Sequence, residues 1–355
     1  VTPMDVKRVL DQALLKHNVQ FLTGSYPAEL LVGANEKPGG MTIVNRSGRQ
    51  AIRARVVIDA TANAALARQS ASQFAPFKPG TQDFTFTVVG GDLQDVSHGK
   101  QVSDVLFESS LWHKNEKTNV RYPVYEYTFP VEYRADTFRE RSKAFNRIRS
   151  SVFDPKMVDH AEQLLYTPDH VVLGGIRPRG IDTLYVLNAY SGEQKNPIAF
   201  AQTGQQIGLE AAARAKKIAV PDGLKYSRAT DAKQDMAVAE TAPSFRFRDR
   251  PKVQLGNHNL PVLGRWDVVV VGGGTSGAPA AIGASREGAK TLVLEYMDEL
   301  GGVGTAGLVA MYWHGFETGF TAEIDQALGV KGHKWNPIQK AEWLRAELMK
   351  NDAEV

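Results

Sequence analysis

Three glycines and one carboxylate carry the clearest chemistry in this chain. Gly272, Gly274 and Gly277 form a G-x-G-x-x-G turn directly after the apolar run Val268–Val271. In such a turn the first glycine permits a tight reversal and the second lets the backbone approach a pyrophosphate. The third lets the following helix pack closely on the strand. A helix predicted over about 276–287 offers its N-terminal amides and dipole to phosphate oxygens, with Thr275 and Ser276 at its entrance. Residues 291–295 read as a second strand ending in Glu295, 23 positions after Gly272. That is close to the ~20-residue spacing at which an acid accepts hydrogen bonds from ribose hydroxyls. An isolated glycine motif is weak evidence; strand, turn, helix, second strand and terminal acid in this order point to a dinucleotide.

The surrounding elements read as mixed α/β. Residues 4–16 place Val6, Val9, Leu10, Ala13 and Leu14 at helical spacing. Strand candidates follow at 28–33, 40–48 and 54–61, with KPGG and RSGR as turn signals between antiparallel neighbours. The continuous runs Val56–Ile58 and Val268–Val271 are expected as strands buried on both faces. Residues 64–68 open a further helix. Alternation over 83–90 and 122–133, many aromatics and a helix near 136–150 suggest a separate mixed α/β substrate or cap domain at 71–175. A buried strand within 181–192 and a helix over 200–217 come next. Residues 219–264, with four prolines and the basic stretch RFRDRPK, read as a solvated linker. The divisions are thus 1–70, 71–175, 176–218, 219–264 and 265–355.

Bulk properties narrow the function classes. Hydrophobic content of 43% and charged content of 23% suit a folded chain of 355 residues. A net charge of +3, with basic residues scattered among acids, argues against a nucleic-acid binder. No run approaches the ~20 apolar residues of a membrane span. The absence of cysteine excludes disulfides, thiolate metal sites, flavin attachment through sulfur and a dithiol relay. There is no spaced His/Asp/Glu set for a metal, no nucleophile elbow and no P-loop. Val1 leads almost directly into a helix pattern, so the natural start is expected upstream. The compartment stays open, with a lean to the cytoplasm.

After Glu295 come Gly301-Gly302 and then Gly304-Thr305-Ala306-Gly307. This continuation resembles the extended FAD fingerprint of the glutathione-reductase-like superfamily, in which a Gly-Gly pair passes beside the FAD diphosphate. The resemblance implies FAD as cofactor through Gly272, Gly274, Thr275, Ser276, Gly277, Glu295, Gly301, Gly302 and Thr305. An acid at the strand end disfavours NADP there. Residues 1–24, 48–68 and 266–307 together resemble the FAD-dependent oxidoreductase family related to the fumarate-reductase and thiazole-synthase branch. The implied fold is a Rossmann-like FAD-binding domain, three-layered, with a parallel sheet and an antiparallel meander, carrying the cap domain. A strand ending in Ala-Thr-Gly lies near FAD in that superfamily; Ala60, Thr61 and Ala62 stand here, without the glycine. The segment 183–208 is similar to the second FAD-contact region, with Asn188 where an acid commonly stands.

The order is unusual, because the nucleotide unit should come first. Residues 336–355 parallel 2–21: proline, a short helix, then a rising strand. A tandem duplication is the inferred layout and a circular permutation its competitor. In either layout the 266–307 unit is expected to supply sheet neighbours for the strand ending at Asp59.

FAD implies hydride transfer between a small-molecule substrate carbon and flavin N5, with the protein supplying orientation and acid–base help. Tyr312, His314 and His170 are the acid–base candidates, His113 a lesser one, and Arg177 and Arg179 could hold an anionic substrate. A packed aromatic cluster is the bland alternative for Tyr312 and His314. Two rival functions remain: an NAD-dependent dehydrogenase, and a flavoprotein-derived binding or scaffold module. Homo-oligomerisation is left open.

Overall fold

The computed structural model describes residues 3–45, 48–70, 79–108, 119–135, 137–158, 162–163, 176–188, 197–227, 262–330 and 334–355. Along the chain run α1 (Pro3–Lys16), β1 (Tyr26–Val32), β2 (Pro38–Asn45), β3 (Gly48–Arg53), β4 (Val57–Asp59), β5 (Gly80–Val89), β6 (Lys100–Glu108) and β7 (Asn119–Tyr133). They are followed by α2 (Phe138–Ser151), β8 (Glu162–Gln163), β9 (Leu184–Val186), α3 (Pro197–Ala215) and β10 (Lys225–Tyr226). The last elements are β11 (Val268–Val271), α4 (Gly277–Arg286), β12 (Thr291–Leu294), α5 (Phe320–Ala327) and α6 (Pro337–Lys350). Two compact units result, Val1–Pro76 with Thr167–Pro261, and Phe77–Tyr166 with Val262–Val355.

In the first unit an antiparallel sheet runs β10-β1-β2-β3. The KPGG stretch is not the turn the sequence suggested. Pro38, Gly39 and Gly40 lie in β2, and the reversal sits at 33–37, closed by the Gly33 amide on the Lys37 carbonyl at 2.9 Å. A side chain at Gly39 would press on Pro221 and Leu224, so glycine marks a close approach here. The expected 40–48 strand is β2, which ends at Asn45, and β3, outside the expected strands but for Gly48, pairs with it from Gly40↔Arg53 to Asn45↔Gly48. Strand β10 falls within the segment read as linker, paired to β1 through Leu31↔Tyr226. Beside this sheet β4 and β9 form a parallel pair, Val57↔Leu184 to Asp59↔Val186. Leu30, Val57, Leu66, Leu184 and Val186 make the core between them. The expected helix at 64–68 shrinks to one 3₁₀ turn at Ala67–Gln69.

In the second unit an antiparallel sheet runs β6-β7-β5-β8. Period-two alternation sends Phe84, Phe86 and Val88 of β5 and Tyr125 and Tyr127 of β7 to one face. Ile148 and Phe145 of α2 pack there. Thr137 caps α2, its hydroxyl accepting from the Glu140 amide at 3.2 Å. The same unit holds the parallel pair β11 and β12, in register from Val268↔Thr291 to Val271↔Leu294. Glu354 extends that pair beyond β12: its amide donates to Thr291 and its carbonyl accepts from Val293, at 2.9 and 2.8 Å. Asn336 caps α6 with Pro337 at the first helical position, and α6 then buries Trp343, Leu344 and Leu348 against α4 and β12.

The larger sheets are therefore antiparallel, and among the described residues parallel pairing joins β4 to β9, β11 to β12 and Glu354 to Leu292. The strand ending at Asp59 takes β9 as its ladder partner, while β11 takes β12. Neither apolar run is buried on both faces. Ile58 is 40% exposed and Val271 81%. No described helix is long and apolar enough to cross a membrane.

Candidate functional site

The turn between β11 and α4 is built as its glycines require. Gly272 adopts φ +94°, a conformation that penalises side chains, and its amide donates to the Leu294 carbonyl at 2.8 Å. A Cβ on Gly277 would collide with the Gly272 carbonyl oxygen, so helix and strand meet there without room for a side chain. Gly274 differs: a Cβ there would meet nothing nearer than the Gly302 Cα, at 4.0 Å. The first helical bond runs from Ala278 to the Gly274 carbonyl. The amides of Thr275, Ser276 and Gly277 donate to no carbonyl among the described residues. They form the N-terminal amide cluster of α4, where the helix dipole favours an anion.

Glu295 follows β12 and stands beside this turn, its Cβ 3.4 Å from where one on Gly273 would lie. One carboxylate oxygen accepts from the amides of Tyr296 and Met297, at 2.6 and 2.9 Å. The Gly301 amide donates to the Gly273 carbonyl at 2.9 Å, and the Thr275 hydroxyl donates to the Gly301 carbonyl at 3.1 Å. A side chain at Gly302 would crowd Gly274 and the Thr275 amide at 3.1 and 3.2 Å. The Gly-Gly pair thus lies directly on the turn. Thr305 is fully buried, and its hydroxyl donates within the loop to the Leu300 carbonyl at 2.5 Å. It shapes the loop from inside.

The loop beyond carries Tyr312 and His314. The Tyr312 ring lies 4.6 Å from that of Trp335, and its hydroxyl is buried without a hydrogen-bond partner among the described residues. Burial pushes that hydroxyl's pKa up to about 12, with the charges of Asp325 and Glu317 adding to the effect. His314 is exposed. Lys340 of α6, which sequence reasoning missed, is buried against the same aromatics. Its signal was legible: a lysine on a helix start rich in apolar and aromatic residues, five positions after Trp335.

The remaining candidates belong to the first unit. Asp59 is buried, and its carboxylate accepts from the Thr61 hydroxyl and amide at 2.6 and 3.0 Å. It also accepts from the amides of Leu66 and Ala67, both at 2.9 Å, which ties down the short 3₁₀ turn. Asn188 donates to the Thr61 carbonyl at 2.8 Å, so it joins the ends of β4 and β9 where an acid was expected. Ala60 is exposed at the mouth of β4. Arg177 pairs with Glu210 at 2.7 Å and stacks 5.6 Å from the Tyr185 ring centroid. Arg179 is exposed. His113 and His170 lie outside the described residues.

The family described as FAD dependent oxidoreductase matches residues 1–170 and 267–350. The chain belongs to that family. FAD is accordingly its cofactor. No curated protein matches the chain. Among solved structures it is similar to OxyS anhydrotetracycline hydroxylase from Streptomyces rimosus, at 11% identity and a TM-score of 0.31. That likeness covers 61% of this chain and 46% of the hydroxylase. This oxidoreductase family member has a turn suited to its cofactor. The amides of Thr275, Ser276 and Gly277 suit a diphosphate, the open position at Gly274 admits close backbone approach, and Glu295 suits sugar hydroxyls.

Proposed function

We propose that this chain contributes to a FAD-dependent oxidoreductase that moves a hydride between a small-molecule substrate and the flavin. The turn 272–277 holds the cofactor diphosphate in a Rossmann-like unit, and Glu295 holds a ribose. One observation carries this reading: the amides of Thr275, Ser276 and Gly277 donate to no carbonyl among the described residues, and Gly274 beside them leaves their approach open.

When bound, FAD supplies the two-electron chemistry, and the protein supplies binding, orientation and electrostatics. The α4 amides and dipole hold the diphosphate, while the 301–307 loop lies on the turn. Acid–base assistance falls to His314 in preference to Tyr312. The His314 imidazole is exposed to an incoming group, whereas the Tyr312 hydroxyl is buried and held neutral. For an anionic substrate Arg179 is the better contact, since Arg177 is already engaged by Glu210.

Three variants, compared by flavin fluorescence on adding FAD and by thermal unfolding, test this reading. Gly274→Ala should melt like the wild type yet bind FAD at least about tenfold more weakly, ~1.4 kcal/mol. Gly277→Val should lose both stability and FAD. Gly283→Ala, on the open side of α4 where a Cβ meets nothing within 4 Å, should leave FAD binding unchanged and melt no lower than the wild type. Wild-type FAD affinity in Gly274→Ala would remove the diphosphate from this turn.

A further inference from the structure

Lys340 is only 6% exposed, and among the described residues its ammonium meets two aromatic rings and the charge of Asp325. It sits 3.6 Å from the Trp335 ring centroid and 5.2 Å from that of Tyr312. Cation–π attraction offsets only part of the desolvation of a buried ammonium. A methionine would fill the same cage without that cost, so folding alone gives no reason for the charge.

Its place in the unit suggests a use. The Trp335 indole donates to the Gly304 carbonyl at 2.8 Å, which fixes the cage to the cofactor loop. A Cβ on Gly304 would lie 3.2 Å from the Lys340 Nζ, so the ammonium rests directly behind that glycine. Two residues earlier Gly302 lies against Gly274 and Thr275 of the turn. The ammonium therefore backs the loop whose front meets the α4 amide cluster. In a desolvated setting a charge acts over such distances far more strongly than in water.

We propose that Lys340 is a cofactor-positioning residue: its caged ammonium counter-charges the FAD diphosphate through the 301–307 loop. The inference rests on the diphosphate lying at the 272–277 turn. Burial holds the Lys340 amine down at about 8, opposed by the charge of Asp325 on α5. Tyr312, the other titratable group of the cage, stays neutral through that range, and Glu317 acts on Tyr312. The free protein is thus poised near half-protonation in mildly alkaline solution, and an arriving dianion favours the charged amine. The sign follows: FAD binds best below the free-protein pKa and weakens as pH rises through it. Proton uptake on binding is greatest just above it.

The test titrates FAD into the full chain by calorimetry at about pH 8.5, in two buffers of different ionisation enthalpy. Binding is then followed by fluorescence from about pH 7 to 9.5. Wild type should take up a large fraction of one proton, and its Kd should rise up to about tenfold across that range. Lys340→Met should show no uptake, a flat pH profile and about tenfold weaker binding at the lower pH. Lys340→Arg, permanently charged, should restore affinity while abolishing uptake. Absence of uptake in wild type, or wild-type affinity and pH profile in Lys340→Met, overturns the proposal. If Lys340→Met unfolds, wild-type uptake and Lys340→Arg decide it. Weak FAD binding in Gly274→Ala with an unaltered Lys340→Met sinks only the lysine. Normal binding in Gly274→Ala sinks both readings.

Discussion

Helices α1 and α6 are written to one plan and end in different surroundings. Both run 14 residues from a proline and carry an apolar stripe at helical spacing. In α6 that stripe is buried against α4 and β12, and even Lys340, Glu342, Arg345 and Glu347 lie inside. In α1 the same stripe is open: Val9 is 61% exposed and Leu10 59%. Helical periodicity therefore specifies which face is apolar, while neighbouring elements determine whether the face is used. Most of a short helix's stability comes from such packing.

Three substitutions break or sharpen this contrast, and they differ in size. The largest effect is expected at Glu342. Its carboxylate bonds to both Arg149 of α2 and Arg345 of α6, and all three side chains are at least 95% buried. Burial, with the charge of Arg149 adding, already pushes the Arg345 guanidinium down. Glu342→Ala leaves two arginines facing each other and should cost about 3–5 kcal/mol in urea unfolding. A loss below about 1 kcal/mol would mean that water reaches the cluster. Next comes Leu344→Ala, which opens a cavity in the core beneath α4 and should cost about 2–5 kcal/mol. The smallest belongs to α1: Leu10→Ala should change stability by less than about 0.5 kcal/mol. If Leu10→Ala proves as costly as Leu344→Ala, the α1 stripe is covered in solution and the contrast disappears.

Much of the second unit was legible because its signals are local. The glycine spacing, Val268–Val271, the helix after them and Glu295 each need only neighbours in the chain, and β11, α4 and β12 form where that spacing requires. Where a rising strand was expected after α6, a single residue, Glu354, bridges β12 in parallel. Harder to see were features set by distant partners. The KPGG stretch looked like a turn, yet it is strand, because its glycines serve an approach to Pro221 and Leu224. Asn188 looked like a missing acid, yet it is a tie to the Thr61 carbonyl. Tyr312 and His314 looked equivalent, until burial separated them.

By itself the sequence determined the glycine turn, the acid beside it, the family and most helices and strands, since these follow from short-range spacing and backbone sterics. Only the tertiary structure decided which apolar faces are covered, which threonine shapes a loop from within, and that Lys340 lies inside an aromatic cage. Those outcomes depend on residues far apart in the chain arriving at one place, and desolvation acts only once they have met.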